Sequence, residues 1–199
     1  PLITATEYNK QKIVRFLISK NCDINFPDSN GRTAVFTATS KFNLDIIKIL
    51  VLEGDADVNI EDNHGISPFF DICADIEEKI DRDNRSKIFN IIEWYISYEK
   101  TNLNTSNEQN QTPLMEVSYT GFVEIVRKLI YNKVDVNYED ESGNTALFYA
   151  IEGNELEISK LLVLEGDADI NHKNVENFNC LLFFLNYFST SSDKNFVEF

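Results

Sequence analysis

The sequence predicts an all-α solenoid, in which short helix pairs stack side by side along the chain. Two observations carry this prediction. The first is a near repeat, because Ile49–Asn59 reads ILVLEGDADVN and Leu161–Asn171, 112 residues further on, reads LLVLEGDADIN. The second is a G-x-[TS]-[PA] signal, worn in some copies, whose last residue falls at positions 34, 68, 113, 146 and 180. The intervals are 34, 45, 33 and 34 residues, and self-similarity at such a period is typical of repeat architectures.

Each copy carries the signals of two helices. Pro68 and Pro113 suit the first position of a helix, where no amide hydrogen is needed. The apolar residues of 122–130 recur at i, i+3, i+4, i+7 and i+8, which predicts an amphipathic second helix. Gly54 and Gly166 follow such a stripe, where a left-handed residue ends a helix. The hydroxyl residues expected to cap the first helices are Thr33, Ser67, Thr112 and Thr145.

At these residues the chain resembles the ankyrin-repeat family, whose unit reads D-x-x-G-x-T-P-L-H-x-A-A through G-A-D-x-N. The resemblance covers essentially the whole chain and implies an ankyrin-repeat α-solenoid with short β-hairpin fingers. An Asp-x-Asn segment closes most units, beginning at Asp23, Asp57, Asp135 and Asp169. The family's TPLH histidine is replaced in every unit, by Phe36, Phe70, Met115, Phe148 and Leu182.

The repeat signals predict one ankyrin-repeat domain over residues 1–199. It divides into a partial repeat 1–28, repeats at about 29–62, 63–107, 108–140 and 141–174, and a partial terminal repeat 175–199. A charged insertion at about 75–87 is expected to form a solvated helical extension or loop. The terminal repeat is very apolar for a cap, which normally needs a polar outer face. Either these residues pack on something outside the chain, or this helix is unusually buried.

Charge and cysteine usage narrow the classes of partner. The chain has 18 Lys and Arg against 33 Asp and Glu, a formal charge of −15. That excess disfavours phosphate backbones and anionic membrane surfaces, so we expect neither nucleic acid nor membrane as a partner. A protein with a basic face is the natural complement. Cys22, Cys73 and Cys180 form no CxxC pair, which favours buried thiols in a reducing, cytoplasmic compartment.

Metal binding and catalysis find little support in the motifs. The segments from Asp55 to Asn59 and from Asp167 to Asn171 match the opening of a calcium-binding EF-hand loop. Both lack the glycine at position six and the glutamate at position twelve. We expect these carboxylates to bond backbone groups of the fingers, with no metal and no cofactor. His64 and His172 stand without a catalytic motif, so we expect no enzyme activity in these residues.

The resemblance implies a protein-binding surface made by the fingertips and the exposed positions of the first helices. Tyrosines set among carboxylates suit an interface, since aromatic rings anchor partners and charges steer them. Tyr119, Tyr138 and Tyr149 come from adjacent units and are expected to form one patch; the alternative is scattered surface aromatics. The predicted binding residues are Phe26, Thr37, Ile60, Glu61, Asp71, Glu116, Tyr119, Tyr138, Glu139, Tyr149 and Glu152.

The sequence therefore predicts an interaction module that binds a protein with a basic, partly apolar surface. The alternative is the substrate-recruiting part of a larger enzyme or secreted effector, with its catalytic domain outside these residues. The 23 Asn and 21 Ile against 8 Ala are typical of an AT-rich genome, and AT-rich pathogens often carry divergent ankyrin proteins. Effectors of the OspC type are one such family. They join an ADP-ribosyl-transferring domain to ankyrin repeats and act on inflammatory caspases in the host cytoplasm, which makes a host caspase the partner under this alternative.

Overall fold

The computed structural model describes residues 1–74, 76 and 84–190, with side chains described as far as Leu185. Within these ranges the regular structure is helical and contains no strand, which confirms the predicted fold class. The α-helices are α1 (Leu2–Glu7), α2 (Gln11–Ser19), α3 (Ala34–Ser40), α4 (Leu44–Lys48), α5 (Pro68–Cys73), α6 (Arg85–Ser97), α7 (Pro113–Tyr119), α8 (Val123–Tyr131), α9 (Ala146–Glu152), α10 (Leu156–Leu164) and α11 (Cys180–Thr190).

The helices pack in pairs within two compact units, Pro1–Pro113 and a second unit that starts at Leu114. In the first unit, α1 packs on α2 and α3, and α3 packs on α4 and α5. In the second unit, α9 packs on α10 and α11, and α8 packs on α10. First helices therefore contact first helices of the next repeat, and second helices contact second helices. This is the stacking that a helix pair needs in order to bury its apolar side.

Apolar residues at the positions of the missing histidines belong to the core. Phe36, Phe70, Met115 and Phe148 are buried, whereas Leu182 in α11 is exposed. Tyr95 of α6 is also buried, and its hydroxyl lies 2.6 Å from Thr39 Oγ1. An apolar side chain needs no hydrogen-bond partner. Replacing the family's histidine by an apolar residue therefore removes a polar contact without leaving an unsatisfied buried group.

Thr33 and Ser67 cap their first helices through their side chains, as predicted. Thr33 Oγ1 accepts the N–H of Phe36 at 3.3 Å, and Ser67 Oγ accepts the N–H of Phe70 at 3.1 Å. Thr145 makes no side-chain cap bond, so the prediction for that residue is wrong. The start of α9 therefore has no side-chain cap for its first backbone N–H groups. Packing holds it instead, because Ala146 and Leu147 are both buried.

The fingers between helix pairs repeat one hydrogen-bond pattern. In the finger before α9, Asp140 Oδ1 accepts the N–H groups of Ser142 and Asn144 at 2.8 Å, and Asp140 N–H donates to the Asn144 carbonyl. The fourth residue is left-handed, and Asn110 (φ 59°) and Asn177 (φ 63°) replace glycine there. The hairpin fingers are thus single turns without strand pairing. The residues equivalent to Asp140 are Asp28, Asp62, Asn107 and Asn174.

The Asp-x-Asn segments join successive repeats. Asp57 Oδ1 accepts the N–H of Asn59 at 2.9 Å, and the same local bond recurs in each copy. Asn25 Oδ1 then accepts the N–H of Asp57 in the next repeat at 3.0 Å. In the second unit Asn137 and Asp169 make the equivalent bond at 2.9 Å. These carboxylates therefore bond backbone N–H groups, as expected for residues of the fingers.

The two 34-residue repeats absorb their extra residue at the end of the second helix. In the first unit α4 continues as a π-helix, Ile49–Glu53, whereas α10 of the second unit stays α-helical to Leu164. In both copies the left-handed residue is an aspartate, Asp55 (φ 54°) or Asp167 (φ 56°). The left-handed role predicted for the preceding glycines is therefore wrong.

Close packing explains the glycine instead. A Cβ atom on Gly54 would lie 2.7 Å from the Leu50 carbonyl oxygen and 2.8 Å from Ile24 Cδ1. A Cβ on Gly166 would lie 2.8 Å from the Leu162 carbonyl oxygen. Such distances are too short for any side chain, so a carbonyl oxygen of the same repeat sets the requirement for glycine, and side chains of the preceding repeat add to it.

Two sequence features lie partly outside the described residues. Most of the charged insertion falls in 75 and 77–83, which are outside them, while Arg85 and Lys87 belong to α6. In the terminal repeat, Phe183 packs on Phe148 with ring centroids 5.1 Å apart. Leu181, Leu182 and Leu185 of the same helix are exposed. Of the two alternatives for this helix, unusually deep burial is therefore wrong for these three leucines.

Candidate protein-binding surface

A hydrogen bond joins a finger to a first helix in the second unit. Tyr149 of α9 donates its hydroxyl hydrogen to Asp140 Oδ2 at 2.8 Å. Because Asp140 Oδ1 already accepts two backbone N–H groups of its own finger, both carboxylate oxygens are used. The finger and the helix are thus held at a fixed spacing, and the half-buried Tyr149 ring is oriented between them.

Glu152 lies on the same helix, one turn beyond Tyr149. Its side chain is half-buried. Burial, and to a smaller extent the negative charge of Asp140, raise the pKa of the Glu152 carboxyl above its ordinary value. A raised carboxyl pKa means that the charged form lacks compensation from its surroundings. A cation placed beside Glu152 would supply that compensation, which makes this position suited to a lysine or arginine of a partner.

The next finger lies against the first. His172 Nε2 lies 2.8 Å from the carbonyl oxygen of Gly143 and 3.9 Å from Oε1 of the exposed Glu139. The His172 ring also meets Phe148 edge-on, with centroids 6.1 Å apart. Glu139 therefore lies where two successive fingers contact each other. It is next in sequence to Asp140, which accepts the hydrogen bond from Tyr149.

The remaining predicted residues of the second unit lie on α7 and on a finger. Tyr119 ends α7 and is 44 % exposed. Its carbonyl is packed against Gly153, where any Cβ atom would collide with it. Glu116 and Tyr138 are half-buried. The structure joins Tyr149 to Asp140 by a hydrogen bond and brings Glu139 within 3.9 Å of His172 Nε2. The patch of Tyr119, Tyr138 and Tyr149 stays a prediction.

In the first unit, two predicted binding residues lie on first helices, Thr37 on α3 and Asp71 on α5. Thr37 lies in a groove of about 260 Å³ together with Asp28 and Arg32. Ser40 Oγ donates to Asp71 Oδ2 at 3.3 Å, which joins the exposed positions of α3 and α5. This groove carries charges of both signs, whereas the corresponding region of the second unit is acidic.

The fingertips of the first unit differ in exposure. Phe26 is exposed in the finger before α3. In the next finger Ile60 is half-buried and Glu61 is exposed. Sequence reasoning missed the neighbouring Asp62, which is buried and accepts a bond from Arg32 Nε at 3.3 Å. The recurrence of Asp or Asn at this finger position in every repeat is the signal that could have identified it.

The comparisons with known proteins bear directly on this arrangement. The model "Ankyrin repeats (3 copies)" matches residues 1–62 and 84–174. The chain belongs to the ankyrin-repeat family. A solved structure, an ankyrin repeat domain from Acinetobacter baumannii AYE, superposes with a TM-score of 0.79 and is 27 % identical. The match covers 94 % of this chain and 91 % of that one.

Two curated relatives are longer than the chain. A putative ankyrin repeat protein of fowlpox virus is 30 % identical over 171 residues, covering 81 % of this chain and 46 % of the viral protein. The palmitoyltransferase AKR1 of Lachancea kluyveri is 23 % identical over 172 residues, covering 86 % of this chain and 22 % of that enzyme. The chain thus spans half or less of either relative. No helix in the described ranges is both long and apolar enough to cross a membrane.

Proposed function

We propose that this ankyrin-repeat chain is a protein-binding module whose second unit takes a basic, partly apolar segment of a partner. The finger surface, defined as Tyr138, Glu139, Asp140, Tyr149 and Glu152, is the proposed contact. The observation that carries the proposal is the bond from Tyr149 to Asp140, which holds an aromatic ring on the same surface as the exposed Glu139 and the half-buried Glu152. A lysine or arginine of the partner would gain a carboxylate there.

The residues of the finger surface have separate roles, and these roles support the proposal. Asp140 is engaged through both oxygens, so it positions Tyr149. Glu139 is exposed and open to a cation of the partner. Aromatic rings anchor interfaces while charges mainly set the rate and specificity of association. Attraction to a chain of charge −15 should therefore be strong at low salt and weaken as salt rises.

The first unit offers a second contact region of related chemistry. Exposed Phe26 supplies an apolar fingertip, and Glu61 supplies a carboxylate. Thr37, Asp71 and Ile60 lie on the same helices and finger, with Asp71 already bonded to Ser40. We expect these residues to contribute less than the second unit, because the groove at Thr37 includes Arg32, which opposes a basic partner.

A second candidate function is substrate recruitment within a larger enzyme. The observation that favours it is the palmitoyltransferase relative, of which the matched region is 22 %. No comparison points to an ADP-ribosyl-transferring effector or to a caspase partner. A cytoplasmic site of action fits the thiols, since Cys73 is buried and burial raises the pKa of the Cys180 thiol to about 11.

Affinity capture at low and high salt tests the proposal. The test variant combines Tyr138→Ala, Glu139→Gln and Glu152→Gln, and leaves the structural Tyr149 in place. The matched control combines Tyr8→Ala and Tyr131→Ala, because both tyrosines are exposed and lie off the finger surface. Circular dichroism of both variants checks that they are folded.

The proposal expects wild type and control to capture the same protein, less of it at high salt, and the test variant to lose it. Capture that is equal for the test variant and wild type contradicts the finger surface as the binding site. An enzyme substrate among the proteins lost with the test variant favours recruitment over a purely structural partner.

A further inference from the structure

The first helix pair carries lysines where other repeats carry acidic or neutral residues. Its second helix, α2, aligns without gaps with α8, with α10, and with α4 and its π-helical continuation. At the position of Lys12 these three helices have Asp45, Glu124 and Glu157. At the position of Lys20 they are followed by Glu53, Asn132 and Glu165. Stacking does not require the lysines, because the other second helices stack without them.

Two exposed apolar side chains lie between these lysines. Ile13 is 48 % exposed and Phe16 is 58 % exposed. Ile13, Phe16 and Lys20 have i, i+3, i+7 spacing, and Lys12 precedes Phe16 by one turn, so the four share one face of α2. Lys12 and Lys20, eight residues apart, are separated by about 12 Å along the helix. We call Lys10, Lys12, Ile13, Phe16 and Lys20 the basic patch.

The basic patch is a local excess of positive charge in an acidic chain. Residues 8–22 contain four cations and no carboxylate, whereas the rest of the chain has 14 Lys and Arg against 33 Asp and Glu. One of the four, Arg15, is bound to Glu53 by three bonds of 3.0–3.1 Å. The other three are Lys10, Lys12 and Lys20, which are exposed and make no ion pair with any residue of the described ranges.

A concavity of about 380 Å³ lies at the start of α2, and its lining includes Lys10 and Lys12 but no carboxylate. The grooves beside it contain carboxylates that are matched by an equal number of cations. Their charged residues are Arg15, Lys48, Asp45 and Glu53 in the groove that shares Gln11 with the concavity, and Arg32, Lys41, Glu7 and Asp28 in the groove beside α1. The two lysines of the concavity are therefore not offset within its own lining.

The position of Ile13 is one that stacking covers elsewhere in the chain. Its equivalents Ile46, Ile125 and Ile158 are all buried. An exposed isoleucine at this position, with Phe16 beside it, leaves an apolar face of α2 open to a further helix. Contiguous exposed apolar surface rimmed by charges marks an interaction site.

Charge disfavours a helix pair of this chain's own pattern as the occupant. The second helices α2, α4, α8 and α10 all carry Arg or Lys at one position. In Arg15 and Arg127 that residue binds the glutamate that follows the next second helix, Glu53 or Glu165. Lys20 takes the place of these glutamates. A stacked pair of the same pattern would bring its own cation against Lys20, and like charges oppose association.

We propose that the basic patch docks an acidic amphipathic helix of a partner protein. Apolar residues of that helix would pack on Ile13 and Phe16, and carboxylates two turns apart would pair with Lys12 and Lys20. Recognition of a helix in a groove uses an apolar face in this way, and flanking charges set its register. The finger surface takes a basic segment, so the two contacts select partners of opposite charge.

The acidic remainder of the chain disfavours larger anionic partners. A membrane surface or a nucleic-acid backbone extends beyond the basic patch and meets the other 33 carboxylates. A single helix contacts the patch alone. The charge distribution therefore favours a short acidic segment over a polyanion.

A displayed library of 18-residue helical peptides with one randomised face tests the proposal. Besides any basic peptides of the finger surface, selection on the wild-type chain should enrich peptides with Asp or Glu seven or eight positions apart around apolar residues. Calorimetry with such an acidic peptide should give one peptide per chain. Phe16→Ser should weaken it at least tenfold, whereas Leu164→Ser, which removes an exposed apolar side chain elsewhere, should leave it unchanged.

A charge exchange separates the patch from the net charge of the chain. Lys12→Glu with Lys20→Glu should weaken the acidic peptide at least tenfold, and replacing the acidic residues of the peptide by lysine should restore the affinity. Lys133→Glu with Lys160→Glu is the matched control, because both lysines are exposed, lie in the second unit and change the net charge equally. Circular dichroism and melting temperature check that each variant is folded.

Four outcomes overturn the proposal. One is selection that enriches no acidic peptides of this pattern. Another is an acidic peptide that the control pair weakens as much as the patch pair does. The third is binding of phosphatidylserine vesicles or duplex DNA that is lost in the patch variant, which would make a polyanion the occupant. The fourth is self-association in sedimentation that is lost in the patch variant, which would make a second copy the occupant. Loss of capture by the finger-surface variant described above is independent of all four.

Discussion

The finger surface and the second-helix side of the second unit are built from the same repeats, yet their chemistry differs. The finger surface carries Glu139, Asp140 and Glu152, with tyrosine rings between them. The second-helix side carries charges of both signs and exposed leucines; the charged residues of its groove are Arg127, Lys160, Glu157 and Glu165. Stacking of helix pairs constrains only the buried side of each helix. The two solvent faces were therefore free to diverge, one into an acidic face and the other into a face of mixed charge.

The largest expected effect on stability compares how closely the first-helix side and the second-helix side of the second unit are packed. Gly153→Ala places a Cβ atom against the Tyr119 carbonyl, a backbone group that cannot move aside. We expect a loss of roughly 3 kcal/mol in the free energy of unfolding, at the upper end of overpacking effects. Leu164→Ala on the other side should cost less than about 0.5 kcal/mol, because that side chain is exposed.

Urea unfolding followed by circular dichroism measures both changes. The glycine variant is informative because Gly153 has an ordinary backbone conformation and does not appear among the left-handed residues. Its cost therefore reports the clash alone. Equal costs for the two variants would show that first helices pack no more closely than the second-helix side.

The bond between Tyr149 and Asp140 gives the next effect. Tyr149→Phe removes the hydroxyl donor and leaves Asp140 Oδ2 without that partner. We expect a loss of about 1 kcal/mol in the free energy of unfolding, as for a typical hydrogen bond. Tyr131→Phe on α8 is the control, since that residue is highly exposed and should change stability by less than about 0.3 kcal/mol. Thermal unfolding of both proteins at pH 7 would decide it, and matching melting temperatures would refute the structural role of this bond.

A smaller, pH-dependent effect is expected at Glu152. Its pKa in the folded chain is raised by burial and then by Asp140, so the folded state holds the proton more tightly than the unfolded state does. The free energy of unfolding must then fall as pH rises from the ordinary carboxyl pKa of about 4.3 through the raised value. Glu152→Gln removes this decline, so the variant should gain stability relative to wild type over that range.

Denaturant unfolding between pH 4 and pH 7 measures the decline, with Glu157→Gln of α10 as the carboxylate variant on the opposite side. A wild-type minus Glu152→Gln difference that stays constant with pH would mean that the Glu152 carboxyl is not perturbed. The finger surface would then lose the feature that singles out this position for a cation.

The smallest expected effect concerns an exposed ion pair between two second helices, Arg127 of α8 and Glu165 after α10. Arg127→Ala breaks one exposed ion pair to Glu165 and should lower the free energy of unfolding by about 0.3 kcal/mol at low salt. Added salt should remove most of that difference, because exposed pairs are screened. Lys160→Ala is the control, as it makes no ion pair within the described ranges. A cost that is large or independent of salt would assign the pair a structural role beyond the surface.

Features that follow from burial were predictable from the sequence. The repeat period, the helix pairs and the buried Phe36 and Phe148 all follow from apolar spacing. Contacts that depend on turn geometry were not predictable. The bond from Tyr149 to Asp140 exists because the finger folds back over nine residues, and no spacing rule in the sequence pairs these two side chains. The π-helix is a sharper case, since near-identical segments end differently in the two units.

The assignment of the finger surface is tested most directly by hydrogen–deuterium exchange of the chain with and without its captured partner. Our account predicts that bound partner slows exchange in the finger and first helix at 138–152, and leaves the second helix at 156–164 unchanged. Protection confined to 156–164 would contradict it. That result would place the partner on the second-helix side and leave the acidic finger surface as a solubilising feature only.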